Sequence, residues 1–401
     1  MVKKNKLLKV LITVLLLIVI FIFYQYNRTA PIISLSVSTD GRYVVSGHVG
    51  RNADPSNPIG QLVLWDIEKK TKTVLSKNAN AFSAMFIPDS HEFMWQDDKD
   101  IIYMQNTDRQ VIKSFQHPFT LQNHRITANK SFYLSADMYN HLYLGQEDAL
   151  KPVYTDGAAT SKPVDLSIVG DYFLSVTPTC YGPNDPVAET NLTANPINPS
   201  VYKKSSYDGV TLWDKNTLKP VAKLNGNCGS TSGLISPDGK WVITGGENVG
   251  IYMWEINNVN HRLNPIKIHN GNSHDGVNYY DAIDSSPIAE KFKDKIIYLG
   301  QNAVAIAFIN EKDFIAIGKT YINEDNYNVI PLYVVGDNLI KDFLEIDNNP
   351  TISTNYYQRN LSVSSSPKAH ILVTGQATGG GINVYKYHPE KMELEKIWVA
   401  D

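Results

Sequence analysis

The segment from Ser236 to Trp254 constrains this chain more than any other feature. It holds a Ser-Pro-Asp-Gly-Lys turn, an apolar strand Trp241-Val242-Ile243-Thr244-Gly245-Gly246, and a second strand ending in Trp254-Glu255. Gly233-Leu234-Ile235-Ser236 forms a strand before the turn. Asp-Gly supplies the backbone freedom a tight turn needs, and the flanking runs are β-prone. The unit recurs near the start of the chain, with Ser38-Thr39-Asp40-Gly41-Arg42 as the turn, Tyr43–Gly47 as the next strand and Leu62–Asp66 as the one ending in Trp-Asp. Val210-Thr211-Leu212-Trp213-Asp214 repeats that ending. A small antiparallel unit cannot bury both faces alone, so a recurring one must stack on its neighbours.

Fainter units fill the intervals, with turns near positions 40, 89, 129, 170, 238, 311 and 367. Each offers four short strands over about 40 residues, a repeat length typical of propeller blades. The prediction is an all-β domain over 32–401, a β-propeller of seven four-stranded blades. The first strand is innermost and the last outermost, so closure is expected from face-to-face packing of the first and last blades. Tyr is abundant at 23 residues and suits strands. The one helical stretch expected in the body is a turn or two within 284–295.

The ordered combination of Asp40-Gly41 with Trp65-Asp66, of Asp238-Gly239 with Trp254-Glu255, and of Asp214 after Trp213 resembles the WD40 repeat family. The Gly-His that usually opens a WD40 repeat is missing. The resemblance is therefore to a degenerate, bacterial-type propeller, and it implies that the histidine-centred hydrogen-bond network of each blade is missing too. WD40-like proteins serve as interaction platforms, so the resemblance implies a protein partner.

Before the repeats lies an apolar stretch. Residues 1–9 carry four lysines, and residues 7–26 are nearly uncharged, with Phe21, Phe23, Tyr24 and Tyr26 at the far end. About 20 apolar residues match the thickness of a bilayer. The expectation is a transmembrane signal anchor over 7–26 with a short cytoplasmic tail at 1–9. The lysine bias then places the N-terminus in the cytoplasm and the propeller on the periplasmic or extracellular side, close to the membrane. No small-residue cleavage site follows the span.

Three polar segments exceed the regular repeat, at 48–60, 177–207 and 270–296. Connections this long in a compact domain are commonly functional. The first two fall between the second and third strands of their blades and are expected on one face. The third precedes an innermost strand and is expected on the opposite face or over the rim. Arg51, Tyr181, Asn184, Asp185, Tyr202 and Tyr207 are the candidate binding residues. Tyr gives rigid contact area at small entropic cost. Cys180 begins the second insertion and Cys228 follows the outer strand of the same blade, so a bridge between them would staple that loop.

Little points to catalysis or cofactors. His269, His274 and Asp275 are a weak candidate metal group, better read as a solvated loop. Ser205–Trp213 fails the spacing of a sialidase Asp-box, and no phosphate-binding Gly-rich loop is present. The formal net charge of −3 argues against a nucleic-acid surface. No cofactor is expected. The leading expectation is a non-catalytic binding scaffold or subunit of an envelope complex. The alternative is a propeller enzyme or small-ligand sensor using the central channel, in the manner of lactonases or quinoproteins. An adhesin-like surface protein is a third reading, disfavoured by the absence of stalks or tandem domains.

Overall fold

A computed structural model describes residues 13–14, 16, 30–50, 60–77, 79–118, 120–137, 142–146, 149–152, 165–177, 210–218, 220–224, 230–246, 249–256, 266–267, 297–299, 305–317, 320–322, 329–336, 340–345, 363–375 and 380–400. Seven four-stranded antiparallel sheets follow one another along the chain. Blade 1 is β1 (Ile32–Val37), β2 (Tyr43–His48), β3 (Gln61–Asp66) and β4 (Thr71–Lys77). Blade 2 is β5 (Phe82–Phe86), β6 (Glu92–Gln96), β7 (Ile101–Asn106) and β8 (Val111–Gln116). Blade 3 is β9 (Leu121–Ile126), β10 (Tyr133–Asp137), β11 (Leu142–Gln146) and β12 (Ala149–Pro152). Blade 4 is β13 (Asp165–Val169), β14 (Tyr172–Val176), β15 (Val210–Asp214) and β16 (Pro220–Leu224). Blade 5 is β17 (Ser230–Ile235), β18 (Trp241–Gly246), β19 (Val249–Glu255) and β20 (Ile266–Lys267). Next come β21 (Ile297–Leu299), β22 (Ala305–Phe308), β23 (Asp313–Ile317), β24 (Thr320–Ile322), β25 (Val329–Val334) and β26 (Ile340–Glu345). Of these, β22, β23, β25 and β26 make blade 6, while β21 pairs with β24 in a separate ribbon. Blade 7 is β27 (Val363–Ser366), β28 (Ile371–Gly375), β29 (Ile382–His388) and β30 (Glu393–Ala400).

The turn between first and second strands has one chemistry in three blades. Ser38 Oγ donates to Asp40 Oδ1 at 2.6 Å, Asp40 Oδ1 accepts from the Arg42 amide at 3.1 Å, and the Tyr43 amide donates to Ser38 Oγ at 2.9 Å. Ser236, Asp238, Lys240 and Trp241 repeat this at 2.5, 3.1 and 3.0 Å. Thr127, Asn129, Ser131 and Phe132 do so at 2.8, 3.1 and 3.1 Å. The residue after the acidic or amide side chain is left-handed in each case: Gly41 (φ 74°), Lys130 (φ 56°) and Gly239 (φ 71°). Glycine takes that conformation without steric cost.

The cores lie between blades, as stacked repeats require. Leu174, Val176, Leu212 and Leu224 of blade 4 pack with Ile235, Val242 and Trp254 of blade 5. At the ring's closure Val37, Val44, Val63 and Trp65 of blade 1 pack with Ile371, Val373, Ile382 and Val384 of blade 7. Among the described residues no strand from the first blade joins blade 7, whose sheet is β27–β30. Closure is by face-to-face packing, with Trp65 and Trp398 in edge contact at 6.2 Å between centroids.

A second device ties the innermost strands. β1 has a strand partner on one edge only, so alternate N–H groups of each innermost strand need another acceptor. Side chains of the preceding blade supply it. Ser34 Oγ and Ser36 Oγ accept from Ala84 N and Phe86 N, both at 2.9 Å. Asp165 Oδ2 and Ser167 Oγ accept from Gly233 N and Ile235 N, both at 3.1 Å. Ser232 Oγ accepts from Ile306 N at 3.3 Å. Ser364 Oγ accepts from Val37 N at 3.0 Å, which carries the device across the closure.

The expected membrane anchor is overturned. Among the described residues no helix is long and apolar enough to cross a membrane. Within 7–26 only Thr13, Val14 and Leu16 are described, as helical and exposed, and a crossing needs about 20 consecutive helical residues. The expectations built on the anchor fall with it: the cytoplasmic N-terminus, the single-pass topology, the periplasmic or extracellular placement, and the membrane as a partner. The turn expected at 284–295 lies outside the described residues.

Candidate functional site

Antiparallel alternation fixes where each connection emerges. In every blade the first-to-second and third-to-fourth connections share one face. The second-to-third connections, and those leading from one blade to the next, share the other. The first face carries tight turns such as 38–43 and 236–241. The second carries the insertions. Residues 48–60 join β2 to β3, and 177–207 lie between β14 and β15. The third, 270–296, falls between β20 and β21 and lies outside the described residues. β21, which follows it, pairs with β24 through Ile297–Ile322, Tyr298–Tyr321 and Leu299–Thr320. β24 sits in the second-to-third connection of blade 6, so a segment preceding an innermost strand shares the face of that connection.

Arg51, Tyr181, Asn184, Asp185, Tyr202 and Tyr207 lie outside the described residues, as do His269, His274, Asp275, Cys180 and Cys228. On this face the described residues form a polar platform in the connections of blades 1 to 3. Asn80, in the connection from β4 to β5, accepts at Oδ1 from the Gly50 amide at 2.7 Å. Its own amide and Nδ2 donate to Asp98 Oδ2 and Oδ1 at 2.9 and 2.7 Å. At the other end of the first insertion, a methyl added to Gly60 would fall on Asn80 Oδ1 and lie 3.0 Å from Asn80 Cα. Both feet of the insertion therefore meet one buried side chain of the neighbouring connection. Gln96 Oε1 accepts from Leu121 N at 2.6 Å, and Thr120 Oγ1 donates to Asp100 Oδ1 at 2.8 Å. The polar residues at 80, 96 and 98 are visible in the sequence; their partners are not.

Under this platform a hydrogen-bonded chain runs through blade 1. Trp65 Nε1 donates to Ser46 Oγ at 2.8 Å. Ser46 Oγ lies 2.9 Å from His48 Nε2, and His48 Nδ1 lies 2.8 Å from the Ala30 carbonyl oxygen. A carbonyl only accepts, so Nδ1 carries the hydrogen and Nε2 accepts from Ser46. The ring is neutral, and burial holds its pKa down at about 4. Blade 4 keeps the tryptophan–serine pair, Trp213 Nε1 to Ser175 Oγ at 2.9 Å. Blade 3 keeps a histidine–serine pair, His117 Nε2 and Ser135 Oγ at 3.3 Å, with His117 in the connection leading into the blade. The expected loss of the histidine network is thus partial: His48, which follows Gly47 at the end of β2, and His117, ahead of β9, both bond a serine.

The inner strands spend their polar groups between blades. Asp165 accepts from Gly233 N, from Ser232 Oγ at 3.2 Å and from Asn123 Nδ2 at 3.2 Å, and it pairs with Arg125 at 3.3 Å. Burial raises the Asp165 pKa; Arg125 and the amide donors oppose that rise. The named contacts of Asp165 all tie neighbouring inner strands together. Among the described residues no group of three or more His, Cys, Asp or Glu is placed to hold a metal ion.

No family model matches the chain. No curated protein matches it either. Among solved structures it is similar to the crystal structure of the β-propeller domain of Cps50 (Swd1) from Myceliophteria thermophila, with a TM-score of 0.56 over 90% of this chain and 98% of that one, at 12% identity. Likeness at that identity establishes the fold alone, and the fold is a β-propeller with seven four-stranded blades among the described residues.

Proposed function

We propose that this chain is a non-catalytic protein-binding scaffold whose partner docks on the insertion-bearing face. The observation that carries the reading is where the long connections open: those containing 48–60 and 177–207 run from second to third strands, on the face that also carries the β21–β24 ribbon. Rigid elements that present variable loops are a common basis for recognition. The residues proposed to line the surface are Arg51, Tyr181, Asn184, Asp185, Tyr202 and Tyr207. Their aromatic and amide character suits a polar, adaptable protein interface.

The test is copurification of the full chain after mild in-cell crosslinking, beside a variant lacking 177–207. Specific partners captured by the full chain and lost from the folded deletion variant support the reading. Absence of any specific partner from both samples overturns it and directs attention to small molecules at the central channel.

A further inference from the structure

We infer that Arg125 holds a small oxyanion, a carboxylate or inorganic phosphate, at the inner edge of the junction between blades 3 and 4. The inference is independent of the binding-face reading and uses only the innermost strands. One register position recurs in all of them. Ser36, Met85, Arg125, Ser167, Leu234, Ala307 and Ser364 pair with Val45, Met94, Leu134, Leu174, Ile243, Ile315 and Val373 of the second strands. Where the position is serine, its oxygen accepts an amide of the next blade: Ser36 from Phe86, Ser167 from Ile235, Ser364 from Val37. Those amides belong to the next residue of the register, paired with Phe93, Val242 and Val44. Ile168 pairs with Phe173 in the same way, so its amide faces blade 3 at the position of Arg125. Among these residues only Arg125 is charged, and it brings donors where the device calls for an acceptor.

A guanidinium only donates. Arg125 Nη1 donates to Asn123 Oδ1 and, at 2.7 Å, to the His124 carbonyl oxygen; Nη2 donates to Asp165 Oδ1 at 3.3 Å. Nε and the second Nη2 hydrogen have no acceptor among the described residues. They are not sealed in: the Arg125 side chain is 29% exposed. On an innermost strand that exposure is to the central channel. Asp165 does not take up the remaining donors, because its oxygens already accept from Asn123, Arg125, Leu166, Ser232 and Gly233. Burial lowers the Arg125 pKa while Asp165 opposes the change, and an arginine keeps its charge throughout. The site is thus part of a guanidinium and one backbone amide, all donors. An anion with two or more oxygens satisfies such a set, and a partly desolvated cation strengthens the bonds.

The full-length chain is titrated with phosphate and, separately, with acetate at constant ionic strength, with chloride as the control. Calorimetry reports binding, and hydrogen exchange of peptides from the innermost strands reports its place. A Kd of about 1 mM or tighter is expected for one ion held by a few charge-assisted bonds. The ion should slow exchange in the peptide containing Ile168 and leave the other innermost strands unchanged. Binding of phosphate alone identifies an inorganic ion, binding of acetate alone identifies a carboxylate, and binding of both supports the shared chemistry. Arg125→Lys keeps a charge beside Asp165 but loses the planar fork, and should weaken binding about tenfold. Asp165→Asn removes the opposing carboxylate and should tighten it about tenfold. No binding of either anion up to about 10 mM, well above that Kd, overturns the proposal. So does protection that spares Ile168, a reading taken on the unaltered chain and so open even if a variant does not fold. An affinity unmoved by both substitutions in folded proteins overturns it as well.

Discussion

The backbone amide of Val37 donates to Ser364 Oγ at 3.0 Å, across the junction where the first and last blades meet. Ser36 makes the same contact with Phe86 between blades 1 and 2, and Ser167 with Ile235 between blades 4 and 5. The closure therefore uses the bond of an ordinary junction, although no strand is shared there. Ser364→Ala should lower stability by about 1 kcal/mol, the usual net worth of one hydrogen bond, and Ser36→Ala by a similar amount. Chemical denaturation of both variants checks this. A much larger loss for Ser364→Ala would mean that the closure is the weak point of the ring.

Ser46 stands between two buried groups, accepting from Trp65 and donating to His48. Ser46→Ala strands both, and each buried polar group left without a partner costs about 1–3 kcal/mol. Adding Trp65→Phe removes one stranded donor at the expense of packing. The two changes should therefore be less than additive, with a coupling of about 0.5–3 kcal/mol. Additive losses in a double-mutant cycle would show that the chain of hydrogen bonds does not act as a unit.

How much of this was legible in the residues depends on the range of the interaction. Asp40-Gly41 and Asp238-Gly239 announce their turns because a left-handed residue and a serine two positions before the aspartate leave a local signature. Trp65, Trp213 and Trp254 mark third strands because a large buried ring recurs in register. The serines at 34, 36, 167, 232 and 364 were visible as polar residues in innermost strands, but their acceptor role needs the next blade, 50 to 327 residues away. Asn80 escaped notice for the same reason. The β21–β24 pairing is not legible in the residues, because its two strands flank the first two strands of blade 6 in sequence. The anchor is read from an apolar run with lysines before it and aromatic residues at its end; among the described residues no helix is long and apolar enough to cross a membrane.

Burial holds His48 at a pKa of about 4 and His124 at about 3, against about 6.5 for an unfolded histidine. Both are depressed, so between the two values the unfolded chain binds more protons than the folded one. Stability is then fully present above about pH 6.5 and declines as pH falls, toward about 4 for His48 and toward about 3 for His124. Each histidine contributes a slope approaching about 1.4 kcal/mol per pH unit within its window. His48→Gln should reduce the slope of unfolding free energy between pH 4.5 and 6 by up to that amount, whatever it does to stability at pH 7. Urea denaturation at several pH values measures it, and an unaltered slope would mean that His48 titrates normally in the fold.

Two glycines separate close approach from backbone conformation as reasons for having no side chain. Gly47 lies against the Ala81 carbonyl oxygen and Ser34 Oγ, where a methyl would overlap both; the first is backbone, and the second is held by the Ala84 amide at 2.9 Å. Gly170 has open space around it, but its φ is 57°. Gly170→Ala should cost only about 1 kcal/mol, the left-handed penalty for an ordinary residue. Gly47→Ala must push β2 away from the Ala81 connection and should cost about 1–3 kcal/mol or more, as overpacking in a tight contact does. Because Ala81 N also donates to the His48 carbonyl oxygen at 3.2 Å, that displacement acts on the root of the first insertion. Thermal denaturation should therefore rank Gly47→Ala below Gly170→Ala, and hydrogen exchange across 48–61 should rise in the first variant only. The reverse ranking would place the constraint at position 47 in something other than the contact between blades 1 and 2.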